Sequence, residues 1–222
     1  MRALLAAALL ASAAAHGQTT GSMLGDGPID APEGRTVGDK ARAIGDVFAT
    51  CVVRRHYVQV KKALAAPADM AADNRSLPAF LDSECLSGTD TGTMRHVGGA
   101  DVELQTNPVS FRGSLYKALV RKDFARSALT VAATAPALGG YNGTALAFAD
   151  CVVRHDTASS LQLLQAPAGF ASEAAAVTAL RPAFAQCITP GAQFRFSRGS
   201  LVGFIAEAYY REATTASGRS GA

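Results

Sequence analysis

The sequence predicts an all-α fold, a tandem duplication of a small, about four-helix, disulfide-bonded unit with a short β-hairpin inserted in the first copy. Three observations carry this reading. The chain matches itself at an offset of 100 residues, its four cysteines fall two to each copy, and its apolar residues recur at helical spacing.

Composition sets the frame. A chain of 222 residues that is 49% hydrophobic and 18% charged fits one ordinary or two small globular units, and it excludes collagen, a charged disordered tail and a polytopic membrane protein. With 21 Lys plus Arg against 18 Asp plus Glu, the net charge of +3 is too small and too dispersed to make a nucleic-acid surface.

Met1-Arg2 is followed by 13 small or apolar residues, Ala3 to Ala15, which end at Ala15-His16-Gly17 with small residues at alternate positions. That is the layout of a secretory signal peptide over residues 1–17. The run is shorter than the roughly 20 residues a transmembrane helix needs, no other segment reaches that length, and no cysteine stands near the cleavage region to accept a lipid. The expected location is periplasmic or secreted; an uncleaved anchor is the rival reading. Residues 18–37 and 214–222 are rich in Gly, Pro, Ser and Thr without period and read as a flexible leader and tail.

Between them lie the two copies, 38–126 and 141–213, joined by a linker over 127–140. Phe48-Ala49-Thr50-Cys51-Val52-Val53-Arg54-Arg55 matches Phe148-Ala149-Asp150-Cys151-Val152-Val153-Arg154-His155, and Pro67 and Pro167 each follow their cysteine by 16 residues. The second cysteine stands 34 residues on in one copy and 36 in the other. A closing block, Arg112-Gly113-Ser114-Leu115 against Arg198-Gly199-Ser200-Leu201, follows after 27 and 11 residues, so the first copy carries a 16-residue insertion between Ser87 and Pro108. Two cysteines at matching positions of each copy in an exported chain favour the bridges Cys51–Cys85 and Cys151–Cys187. Zinc is the rival. No Cys-x-x-Cys pair occurs, and no His stands at ligand spacing from both cysteines, so no metal is assigned.

Ile44, Val47, Phe48, Cys51 and Val52 form the stripe of an amphipathic helix, as do Thr144, Ala147, Phe148, Cys151 and Val152. A second helix follows over His56–Leu64 and over Thr157–Gln165, the latter capped by Asp156. Ser172 opens a third, in which Pro182, like Pro78 in its counterpart, imposes a kink or a break into two short helices. The last helix runs from Arg198 to about Arg211, its partner from Arg112 to Arg121 or Phe124. Met94–Val97 and Val102–Gln105 suit the inserted hairpin, and Gln193–Phe196 a single short strand.

Arg54 and Arg154 follow the first cysteines by three residues, and Arg112 and Arg198 open the last helices. Such arginines either satisfy carboxylates and helix-end carbonyls of the fold or form an anion site on each unit. Gly113 and Gly199 allow close packing or a turn. Ser114 and Ser200 lack a Gly-x-Ser-x-Gly setting and a repeated His, so they read as helix-start serines rather than nucleophiles. His56 and His155 sit just past a helix end, where a cation is favourable. Asp82 and Glu84 flank Cys85 without equivalents, and no acid and base pair stands out.

Charge divides unequally: 12 basic against 9 acidic residues over 41–126, but 5 against 5 over 141–213. Arg54, Arg55, Lys61 and Lys62 form one basic strip, and Lys117, Arg121, Lys122 and Arg126 a second, a surface able to attract anionic glycans or lipid headgroups. Asn74-Arg75-Ser76 and Asn142-Gly143-Thr144 fit the glycan-acceptor pattern. The function expected is a non-enzymatic binding or interaction module of the cell envelope. Its partner would be an envelope protein or an anionic glycan, with no nucleic acid, no cofactor and no catalytic residue assigned. A hydrolase with its site between the repeats and a small-ligand carrier are the alternatives.

Overall fold

The computed structural model describes residues 36–65, 83–86, 108–124, 144–188 and 196–216. The stretches read as signal peptide (1–17), linker (127–140) and hairpin (94–105) lie outside these residues. Every regular element among those described is an α-helix.

Helix α1 spans Val37–Arg55 and starts in a capping box: Thr36 Oγ1 accepts from the Asp39 amide at 3.1 Å, while the Asp39 carboxylate turns back to Thr36. This places an acid where the helix dipole favours it. The helix begins at Val37, so its first residue falls inside the stretch read as leader. Its apolar stripe buries Phe48, Ala49, Cys51, Val52 and Val53. His56 closes α1 by donating its amide to the Val52 carbonyl, and its own carbonyl accepts from Val60, so α2 (Tyr57–Ala65) follows without a gap. A single turn, α3 (Ser83–Leu86), carries Cys85 to its bridge with Cys51.

Helix α4 runs Pro108–Asp123. It starts a full turn before Arg112 because proline, with fixed φ and no amide hydrogen to satisfy, suits a first helical position. Helix α5 (Thr144–His155) leads into α6 (Thr157–Gln165), where Asp156 accepts from the Ser159 amide at 2.8 Å, the cap read from the sequence. Gly169 has φ 79°, in the left-handed region that favours glycine, and turns the chain into α7 (Ala171–Ala179). Helix α7 is capped by Phe170, not opened by Ser172, and it breaks at Leu180 into α8 (Arg181–Cys187), whose first turn holds Pro182. The second bridge, Cys151–Cys187, ties α5 to α8.

The last helix, α9, spans Arg198–Ala216 and outruns its expected end by five residues. Two features extend it. Ala213 is fully buried, and the hydroxyls of Thr214 and Thr215 bond back to carbonyls one turn earlier, so threonines that suggest a tail by composition lie on a packed helix. Phe196, read as the end of a strand, is instead irregular and inserts its ring between Phe148 and Phe204, with centroids 5.7 and 5.8 Å away.

The α4 and α9 helices form the centre; α1 packs on α4, and α5 on α9. Their buried residues, including Phe48, Leu115, Leu119, Ile205 and Tyr209, join Leu164 of α6 in one apolar cluster. The two halves therefore share a core instead of enclosing one each. Polar side chains lock the joins. Arg121 of α4 donates to the carbonyls of Leu164 and Ala166, and Arg42 of α1 grips Glu173 of α7 at 2.6 and 2.8 Å. The first caps the carbonyl end of α6, where orphan acceptors need a donor.

Candidate functional site

The four arginines singled out by their repetition occupy different surroundings. Arg112 is buried, and its guanidinium makes a two-point pair with Glu207, both contacts at 3.0 Å, while also donating to the Tyr116 hydroxyl at 3.2 Å. Arg154 donates to Asp150 at 2.7 Å and lies 3.7 Å from Glu212. Arg54, in the last turn of α1, and Arg198, at the start of α9, are exposed. Arg112 and Arg154 thus hold carboxylates in the interior, while Arg54 and Arg198 lie at the surface.

The serines also separate. Ser114 Oγ lies 3.4 Å from Asp46, whereas the Ser200 amide and hydroxyl both bond Ser197 Oγ, which takes the capping position of α9. Glu84 pairs with Arg55 across the first bridge. His155 stands beside the second bridge. One helical turn beyond Cys151, it brings a ring nitrogen within 4.8 Å of both sulfurs of the Cys151–Cys187 bridge.

The two basic strips meet at one aromatic ring. Tyr57, at the start of α2, has Lys122 Nζ of α4 4.1 Å from its ring centroid and Lys61 Nζ 5.2 Å away. Both distances fall within cation–π range. The Tyr57 hydroxyl donates to the Asp123 carboxylate at 2.8 Å, and the Tyr210 hydroxyl donates to the same carboxylate at 3.0 Å, so the ring is anchored from the core side. Lys62 and Lys122 are exposed, as are Arg54 and Arg55 just before α2.

Lys117 and Arg121, read as part of the second strip, turn inward instead. Lys117 Nζ meets Asp46 at 2.6 Å with the residue only 2% exposed, and burial holds its ammonium below the usual lysine range. They face inward because α4, placed between α1 and α9, buries nearly its whole circumference. A helix periodicity based on apolar residues assigns charged positions to solvent and misses that.

One cluster went unread. Asp150 of α5 and Glu212 of α9 are 2% and 3% exposed, with Arg154 beside them. Neither Asp150 Oδ1 nor Glu212 Oε1 meets a donor. Burial above all, then the hydrogen bond to Asp150 and its charge, push the Glu212 carboxyl up to about 7 against the pull of Arg154. The site thus favours the neutral form of Glu212 below about pH 7. The sequence did mark Asp150, since it replaces Thr50 in the matching block, but ending the last helix at about Arg211 left Glu212 just outside it.

No protein-family model matches the chain, and neither a curated protein nor a solved structure is similar to it.

Proposed function

We propose that this chain is an exported, non-enzymatic helical module that binds an anionic glycan of the cell envelope through the face formed by Tyr57, Lys61, Lys62 and Lys122. The observation that carries the reading is the convergence of Lys61 and Lys122 on the Tyr57 ring. An anchored ring beside several ammonium groups offers apolar surface for a sugar and charge for its carboxylate or sulfate substituents, with Arg54 and Arg55 extending the positive field. Arg112 and Arg154 hold carboxylates of the protein's interior, whereas Arg54 and Arg198 lie at the surface.

Two disulfides and the lack, among the described residues, of a helix long and apolar enough to cross a membrane fit an extracellular or periplasmic protein. The order of elements supports descent of 38–126 and 141–213 from one unit. Helices α1, α2 and α4 are followed by α5, α6 and α9, with bridges spanning 34 and 36 residues.

The test is binding of the oxidised protein to dextran sulfate and polygalacturonate, with neutral dextran as the blank, across a salt series. The expected result is salt-sensitive binding to both acidic polymers that the Lys61→Glu, Lys122→Glu variant weakens by about tenfold or more, at unchanged helical circular dichroism. Equal retention on neutral dextran, or binding indifferent to the charge reversal, overturns the reading.

A further inference from the structure

The two disulfides differ in what surrounds them. Cys51 and Cys85 are 1% and 2% exposed, whereas Cys151 and Cys187 are both partly open to solvent. Among the described residues, the second bridge also has a histidine beside it where the first has none. His155 is exposed at the end of α5, and its ring nitrogen and the two sulfurs lie within 4.8 Å of one another. The equivalent position beside the first bridge is Arg55, which cannot ligate and pairs with Glu84.

We propose that Cys151, Cys187 and His155 form a redox-gated site for one Zn²⁺ ion. Reduction requires a dithiol. Its thiolate attacks one sulfur of the bridge, its second thiol resolves the mixed disulfide, and it leaves as a cyclic disulfide while two cysteine thiols form. Zn²⁺ then displaces both thiol protons and forms two Zn–S bonds and one Zn–N bond, leaving the fourth tetrahedral position to water. Around tetrahedral zinc the two sulfurs stand roughly 3.8 Å apart, and the three ligand atoms already lie within 4.8 Å of one another. The helices need not part, because the rings of Phe148 of α5 and Phe184 of α8 meet at 5.8 Å and Ala183 of α8 is buried in the core.

The test uses the full oxidised chain. It is treated with limiting dithiothreitol, its free thiols are located by alkylation and peptide mass mapping, and Co²⁺ is added after removal of the dithiol, with Zn²⁺ in competition. Labelling of Cys151 and Cys187 should run about tenfold or more ahead of Cys51 and Cys85, in line with access. The reduced chain should take up one Co²⁺ with a thiolate-to-metal charge-transfer band that Zn²⁺ abolishes, and the oxidised chain none. His155→Gln should keep the bridge and its reduction rate but weaken metal binding by about tenfold or more. The proposal is overturned if both bridges reduce together, if reduction melts the helices, if the thiolate band is missing, or if His155→Gln binds as tightly as the parent.

Discussion

Gly113 of α4 and Gly203 of α9 meet backbone to backbone: a Cβ on Gly113 would lie 2.4 Å from the Gly203 Cα. No flexible side chain can yield there, so Gly113→Ala must push the two central helices apart, at a cost of about 1–3 kcal/mol. The reciprocal Gly203→Ala is less severe, since its Cβ would stand 3.0 Å from Gly113 Cα. Gly199→Ala, by contrast, meets nothing nearer than the flexible Arg42 side chain, at 3.2 Å, and should stay within about 0.5 kcal/mol of the parent. Urea unfolding midpoints of the three variants rank the sites. A neutral Gly113→Ala would mean that the helix crossing is looser than it looks.

The buried Arg112–Glu207 pair makes a different kind of prediction. Arg112→Met leaves a carboxylate inside the core, which for a buried pair costs about 3–5 kcal/mol. Arg211 also donates to Glu207, at 2.8 Å, so the loss should sit near the lower end. Removing the carboxylate as well, in Arg112→Met, Glu207→Leu, should recover much of the stability. A double-mutant cycle checks this, and strictly additive losses would show that the two side chains act independently.

Tyr57 allows stability and binding to be separated. Tyr57→Phe retains the ring beneath Lys61 and Lys122 but deletes the hydrogen bond to Asp123. It should cost roughly 1 kcal/mol in thermal or urea unfolding while leaving glycan binding intact. Tyr57→Ala should lower both.

Much of this fold was legible because helix and repeat leave local marks. The Phe48 and Phe148 stripes, the Asp156 cap and the Pro182 break all depend on neighbours within a turn or two of sequence, and the matching cysteine spacings named the two bridges. What could not be read depends on pairs far apart in the chain. Gly113 and Gly199 look alike in the repeat, yet only the α4–α9 crossing tells them apart. Lys117 and Lys122 look alike in a basic strip, yet Asp46 on α1 draws one inward and Tyr57 on α2 holds the other. The candidate face was therefore visible as charge but not as geometry, since the Tyr57 ring that gathers Lys61 and Lys122 belongs to a different helix from the second of them.

Two buried glutamates bend the stability curve in opposite directions with pH. Burial favours the neutral form of Glu173, but hydrogen bonds from Arg42 and from the Gly169 amide outweigh it and hold this carboxyl below the ordinary range. Its folded pKa lies below the unfolded one, so its contribution is present above the ordinary glutamate pKa and is lost as the pH falls. Glu212 has the reverse sign. Raised to about 7 by burial and by Asp150, it binds its proton more tightly in the folded state, so its contribution is complete below the ordinary glutamate pKa and is lost as the pH rises through about 7. Stability should therefore peak on the mildly acidic side of neutrality and decline between about pH 5 and pH 8. Glu212→Gln keeps a donor toward Asp150 and cannot ionise. Urea unfolding across this range should show a flatter slope for Glu212→Gln and a variant more stable than the parent at the alkaline end, while an unchanged slope would place the titrating group elsewhere.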